Sequence, residues 1–165
     1  MALLRHHKFL CRSPEAVLDG LHAVETICRK RGLQFTKNRW LVLESLLQAE
    51  QPMTAYELLR ALETRLERQI SPPTVYRALA FLSEHDFVSR IETTNAYVPT
   101  PYPDHTQPYV FFICETCGSL AEIENRKLEA LVDSDAASLG FRIGKRVIEL
   151  KGACANCQAM ELTAD

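Results

Sequence analysis

A chain of 165 residues, 47% hydrophobic and 24% charged, is long enough for one ordinary domain or two small ones and too apolar to be disordered. No apolar run approaches the roughly 18–20 residues that cross a bilayer. The opening MALLRHHKFLCRS, interrupted by Arg5, His6, His7 and Lys8, lacks the apolar stretch of a secretory signal, so the expectation is a soluble, cytoplasmic protein with reduced thiols and no membrane partner. The net charge of −2 hides an asymmetry. Residues 1–99 carry thirteen Lys/Arg against eleven Asp/Glu (+2), and residues 100–165 carry six against ten (−4). A mildly basic first half permits nucleic-acid binding without requiring it.

Residues 1–14 read as a loose tail, with Cys11 an exposed bystander. Residues 15–98 read as one helical domain ending in a hairpin. Over 15–31, Val17, Leu21, Val24 and Cys28 recur at helical spacing, which makes Cys28 a core residue, and Gly32 is placed to end the helix. Thr36 can cap a second helix with Trp40, Leu43 and Leu47 on one side. After Pro52, Thr54 caps a third, with Leu59, Leu62 and Leu66 inward. Ser71 before Pro72 opens a fourth, because proline is tolerated in a first turn where its missing N–H has no partner to lose. Val75, Leu79 and Leu82 form its apolar stripe. FVSRIETTNAYV, residues 87–98, alternates as two short strands about a Thr-Thr-Asn turn. Four helices and a hairpin predict a winged helix-turn-helix whose fourth helix presents Thr74, Tyr76 and Arg77 near its N-terminal end. The rival is a small helical bundle with a merely solvated polar face.

Residues 99–108, PTPYPDHTQP, hold four prolines in ten. They predict a hinge, since they continue neither a helix nor a central strand. Residues 109–165 then predict a small α/β domain, making the whole chain α+β. YVFFIC and SLAEIE are strands. RKLEALVDSDAASLG is a helix capped by Asn125, with Leu128, Leu131, Val132 and Leu139 inward. FRIGKRVIEL alternates as strand on either side of a possible bulge at Gly144.

Cys114 and Cys117 form one CxxC pair and Cys154 and Cys157 another, with thirty-six residues between Cys117 and Cys154. Two such turns bring four thiolates together, the number a structural tetrahedral zinc takes. A domain of about sixty residues gains from such a staple. Redox chemistry is the rival, but a redox CxxC usually stands alone at a helix N-terminus. The expected zinc site is closed and structural, with one ion per subunit.

SPPTVYRALAFLSEHDFVSRIETTNAYV, followed by FFICETCG and CANC, resembles the ferric uptake regulator family, and within it the zinc-uptake branch. The likeness runs from about Glu15 to Met160. The histidine-rich run typical of iron sensors before the first CxxC is absent. The resemblance implies a homodimeric bacterial repressor that binds pseudo-palindromic operators when zinc is abundant and silences zinc-uptake genes. The first domain would read double-stranded DNA and the second would dimerise. Carried over residue by residue, Arg77 would contact a purine, where an arginine can donate a bidentate pair to guanine. Tyr56 would touch the backbone, with Thr74, Tyr76 and Arg39 as further backbone candidates. For Tyr56 the alternative is a half-buried helix tyrosine.

The resemblance also implies a second, regulatory zinc near the hinge. Of its four expected ligand positions this chain keeps His105 and Glu122. The other two hold Ser89 and Thr100, which are not usual zinc ligands. Either Asp104 and His85 help His105 and Glu122 rebuild the site, or the site is lost, or zinc binds only partly. Two other readings stand beside a zinc-responsive repressor: a relative responding to another metal or to none, and a zinc-stapled interaction adaptor. With no open catalytic metal motif, nucleophile elbow or phosphate loop, the chain does not read as an enzyme.

Overall fold

The computed structural model describes residues 4–5, 13–100, 110–123, 125–144 and 146–162. In chain order the elements are β1 (Leu4–Arg5), α1 (Pro14–Lys30), α2 (Lys37–Gln48), β2 (Met53–Thr54), α3 (Ala55–Leu66), α4 (Pro72–Glu84), β3 (Val88–Ile91), β4 (Ala96–Pro99), β5 (Val110–Cys114), β6 (Leu120–Ile123), α5 (Arg126–Ser138), β7 (Ile148–Gly152) and α6 (Ala155–Leu162). They divide into two compact units, Phe9–His105 and Met1–Lys8 together with Thr106–Asp165. No helix among the described residues is long and apolar enough to cross a membrane.

The first unit is a helical core closed by a small sheet. Val17, Leu21, Val24 and Cys28 are all buried along α1, as the 3.6-residue spacing requires. The Ser13 hydroxyl caps this helix by accepting from the Ala16 N–H at 3.3 Å. Gly32, at φ +66°, ends it. The Leu33 N–H reaches the Cys28 carbonyl at 2.8 Å and the Gly32 N–H reaches that of Arg29 at 3.3 Å, the paired bonds of a left-handed helix stop. Thr36 precedes α2 without a side-chain cap bond. Thr54, by contrast, forms a full capping box: the Glu57 N–H donates to its hydroxyl at 3.2 Å and its own N–H donates to the Glu57 carboxylate at 2.7 Å, satisfying donors that α3 itself leaves open. The deepest residues of α3 are Ala55, Leu58 and Leu62, one position round from the stripe the sequence suggests; Leu59 and Leu66 are half-buried at its margin.

Helix α4 buries Val75, Ala78, Leu79, Phe81 and Leu82. It stops at Asp86, held at φ 60°, where the Phe87 N–H returns to the Leu82 carbonyl at 2.8 Å. That turn seats the buried Phe87 and launches β3. Strands β3 and β4 pair antiparallel around the Glu92–Asn95 turn, and the two-residue β2 adds a third strand in the order β2-β4-β3. The unit is a winged helix-turn-helix.

The second unit is a four-stranded sheet of order β1-β6-β5-β7. β5 and β6 form an antiparallel hairpin, and β7 lies parallel to β5, with Cys114 opposite Gly152. A parallel neighbour needs a long crossover, which α5 supplies. The Asn125 side chain caps α5, accepting from Lys127 and Leu128 N–H groups at 3.1 and 3.2 Å.

The structure departs from the sequence expectation in three places. Leu4 and Arg5 pair antiparallel with Ile123 and Glu122 rather than trailing loosely, because the outer edge of β6 offers backbone partners. Residues 141–144 form no strand; only the second half of the alternating stretch pairs, as β7. Along α5, Leu131 and Leu139 are 58% and 82% exposed, and Ala136 alone is buried. The helix has the expected apolar stripe, but much of it faces outward from the single chain.

Candidate metal centre and nucleic-acid interface

The hairpin and the parallel strand bring the two CxxC pairs together. Cys114 closes β5, and the chain turns through Gly118 at φ +70°, a left-handed conformation that favours glycine. The Gly118 N–H donates to the Cys114 carbonyl at 2.9 Å and the Cys114 N–H to that of Ser119 at 2.8 Å. The Glu115 N–H then bonds the Gly152 carbonyl at 2.8 Å, tying this turn to the end of β7, from which Ala153 leads into the second pair. Cys154 precedes α6 and Cys157 lies on it. No periodic signal marks this eight-residue helix in advance, since GACANC reads as a turn.

All four Sγ atoms lie within 4.8 Å of one another, forming a potential metal-binding group among the described residues. The Cys117 and Cys154 sulfurs are 3.8 Å apart. A tetrahedral zinc with Zn–S bonds of about 2.3 Å sets its sulfurs about 3.8 Å apart, so the donor set fits zinc in number, chemistry and spacing. Cys114 and Cys157 are buried, Cys154 is half-buried and Cys117 is exposed.

Hydrogen bonding prepares these thiols unequally. Backbone N–H groups, that of Cys117 foremost and that of Cys154 next, aim at the Cys114 sulfur and bring its pKa down to about 5; the Cys154 N–H is 3.3 Å away. Cys154 is also lowered, chiefly by the Cys157 N–H. Cys157 is pushed up to about 12 by hydrogen bonds to the Cys154 and Cys117 sulfurs and by desolvation. Four crowded sulfurs cannot all ionise unaided, whereas a dication favours four thiolates. Cys117 donates to Ser119 Oγ at 3.2 Å. The sequence carried no signal that would single out this serine.

The remaining thiols are separate. Cys28 is buried in the first unit, and burial raises its pKa despite the nearby Arg31 and Arg39, which marks an inert core residue. Cys11 lies outside the described residues.

The first unit presents the candidate nucleic-acid surface. Tyr56, in the first turn of α3, is 67% exposed, and Tyr76 in α4 is 58% exposed. Arg77 is exposed beside Tyr76, and Thr74 is half-buried one turn earlier. These residues lie on the two helices of the helix-turn-helix, with the polar residues of α4 toward its N-terminal end. Arg39 is disposed differently. Its guanidinium carbon stands 3.4 Å over the centroid of the Phe81 ring, and its Nη1 donates to the Gln34 carbonyl. A cavity of about 140 Å³ between α2, α3 and the start of α4 is smaller than the roughly 300 Å³ of ordinary small-molecule sites.

The residues considered for a second metal are scattered in kind. His105 and Asp104 lie outside the described residues. Glu122 is buried on β6. His85 packs its ring 4.5 Å from Phe81 and 6.3 Å from Phe87, an aromatic environment at the end of α4. Ser89 and Thr100, which replace two expected ligands, place their hydroxyls 3.3 Å apart. Neutral hydroxyls are not zinc's usual donors, so these two positions do not fit a zinc ion.

Comparison with known proteins places these features in context. The model of the ferric uptake regulator family matches residues 30–151. The zinc uptake regulation protein of Escherichia coli (strain K12) is 39% identical over 144 residues, covering 86% of this chain and 82% of that protein. The ferric uptake regulation protein of Campylobacter jejuni is 30% identical, covering 83% and 87%. Among solved structures, a zinc uptake regulator complexed with zinc and DNA superposes with a TM-score of 0.84 at 37% identity, covering 88% of this chain and 97% of that one. Holo XcZur superposes at 0.79, also at 37% identity, covering 86% and 98%.

Proposed function

The chain belongs to the ferric uptake regulator family, and from that premise we propose its working: it is a zinc-responsive, DNA-binding transcriptional repressor of zinc-uptake genes that acts as a homodimer. The observation that carries this reading is the likeness across 88% of the chain to a zinc uptake regulator complexed with zinc and DNA. The residues agree with it. One unit is a winged helix-turn-helix with an exposed Tyr76–Arg77 pair, and the other gathers four thiols at zinc spacing. Members of this family regulate transcription, and we place this one in the bacterial cytoplasm, free of enzymatic activity.

On DNA, the N-terminal half of α4 enters the major groove, where Arg77 donates a bidentate pair to a guanine. Tyr56, Thr74 and Tyr76 hold the phosphate backbone and fix the register. Two copies read the two halves of a pseudo-palindrome, so the symmetry of the dimer sets the spacing of the site. Cys114, Cys117, Cys154 and Cys157 hold one structural zinc per subunit. Bound there, zinc supplies folding free energy to a small domain. These four sulfurs would complete the tetrahedral set that structural zinc takes, leaving no open position for catalysis.

The zinc response of DNA binding calls for a second, more exchangeable ion, and Ser89 and Thr100 are poor donors for it. His105 and Glu122 are the residues to test. The deciding experiment is fluorescence anisotropy of an operator-like duplex across buffered free-zinc concentrations. Affinity that rises with zinc while the four-cysteine zinc stays bound supports the reading. Tight binding that is flat with zinc would favour a relative that answers to another metal or to none. His105→Ala and Glu122→Gln, assayed separately, then show whether the response runs through either residue.

A further inference from the structure

By residue type, Arg39, a basic residue in the first turn of α2, suits a phosphate contact. Its surroundings argue otherwise. The side chain is half-buried. One guanidinium N–H is taken by the Gln34 carbonyl, and the guanidinium carbon lies 3.4 Å from the centroid of the Phe81 ring, close enough that only a stacked arrangement avoids a clash. Phe81 is itself buried in α4. Its ring stands edge-on to His85 at 4.5 Å and tilted to Phe87 at 6.4 Å. On Phe87 sits a second guanidinium, that of Arg31 at the end of α1, 6.0 Å from the ring centroid. Two arginines, from the end of α1 and the start of α2, thus bracket an aromatic array at the C-terminal end of α4.

Phe81 follows Arg77 by four residues, so the two lie on one side of α4, about one turn apart. Whatever fixes Phe81 therefore fixes the roll and tilt of the helix just behind its reading residue. A stacked, partly desolvated guanidinium is well suited to that, since cation–π attraction strengthens as water is removed.

We propose that Arg39 is a positioning residue for operator recognition: it acts through Phe81 on the orientation of the recognition helix and makes no phosphate contact. The inference rests on the DNA-binding reading above. The chemistry separates the two roles for Arg39. A phosphate contact is a point-charge interaction that lysine can supply, whereas a planar stack over a ring is one that lysine reproduces poorly. A phosphate contact also releases counterions, so its loss lowers the slope of log affinity against log salt by about one. Loss of a positioning contact leaves that slope alone.

The test uses the full-length, zinc-loaded protein and two duplexes: one enriched by the parent protein from a randomised pool, and a scrambled duplex. Failure of the pool to yield any enriched sequence would overturn the repressor reading itself. Given an enriched duplex, Arg39→Lys is expected to lower its affinity about tenfold, with an unchanged salt slope and unchanged affinity for the scrambled duplex. Phe81→Leu is expected to cause a similar loss, and the double variant little more, since both remove one contact. If Phe81→Leu does not fold, Arg39→Lys decides through its affinity for the enriched duplex and Arg39→Gln through its salt slope. Parent-like binding by Arg39→Lys, or a slope lowered by about one in Arg39→Gln, overturns the proposal. So does an equal loss on both duplexes, which marks general destabilisation.

Discussion

The side-chain hydroxyls of Ser89 and Thr100 lie 3.3 Å apart at the base of the wing. Ser89 belongs to β3, and Thr100 follows β4, where its N–H donates to the Phe87 carbonyl at 3.0 Å. The two ends of the hairpin are thus joined by backbone and side chain together, with no metal needed between them. A neutral hydrogen bond of this kind contributes about 1 kcal/mol.

Replacing the pair with real donors should create what the hydroxyls cannot provide. Ser89→His combined with Thr100→Cys puts an imidazole and a thiol where two oxygens already meet. The expected result is additional bound zinc in each subunit and DNA binding that saturates at lower free zinc. Metal analysis and anisotropy check it. Ser89→Ala should leave the zinc response as in the parent and cost about 1 kcal/mol of stability.

Cys117 is the exposed member of the thiol cluster, so its replacement removes a ligand with little disturbance of packing. Cys117→Ser should release the structural zinc and lower the thermal midpoint, because a small stapled domain draws folding free energy from its metal. Retention of one tightly held zinc per subunit by this variant would show that three sulfurs suffice.

Zinc uptake should release protons. Backbone donors hold Cys114 down at about 5. The stabilisation they give the metal-free fold is full above the ordinary thiol value of 9.0 and is lost as pH falls through about 5. Cys157 is pushed the other way, to about 12. Its protonated form is the favoured one, with a contribution present below 9.0 and lost as pH rises through about 12. At neutral pH the Cys157 thiol therefore carries a proton that zinc must expel. Calorimetric titrations in buffers of different ionisation heat should show at least one proton released per zinc, and apparent affinity should fall as the solution is made more acidic.

Arg77 stands exposed in α4. If Arg77 meets a guanine as proposed, Arg77→Ala should cost about 1–3 kcal/mol of operator binding and relax preference at one base pair. Tyr56→Ala should instead weaken binding to all sequences alike. Selection from a randomised pool with each variant distinguishes the two patterns.

The second unit exposes Leu131 on α5 at 58%, Leu139 at the cap of that helix at 82% and Phe141 just beyond it at 68%. A dimer buries surfaces of this kind. Leu131→Glu and Phe141→Asp should raise the dimer dissociation constant, as sedimentation would show, while the zinc content of each subunit stays the same.

Much of this protein is legible in its sequence because much of it is local. Val17, Leu21, Val24 and Cys28 announce the buried side of α1 through spacing alone. Thr54 and Glu57 announce the start of α3, Asn125 that of α5, and the two CxxC pairs announce a metal by ligand type and number. Each of these signals arises between residues close along the chain, where helix geometry or turn geometry already dictates who meets whom. The apolar side of α5 is legible in the same way, but not what covers it: periodicity defines a face and says nothing of its neighbour. The same limit hides the pairing of Leu4–Arg5 with β6, the hydroxyl contact between Ser89 and Thr100, and the stacking of Arg39 on Phe81. In these the partners are eleven to more than a hundred residues apart, and identical side chains could equally have faced water. Chain spacing determined helices α1 to α5, the caps at Thr54 and Asn125 and the zinc ligand set; the packing of distant segments alone decided where each remaining side chain points, since that choice is made by the surfaces that fold against it.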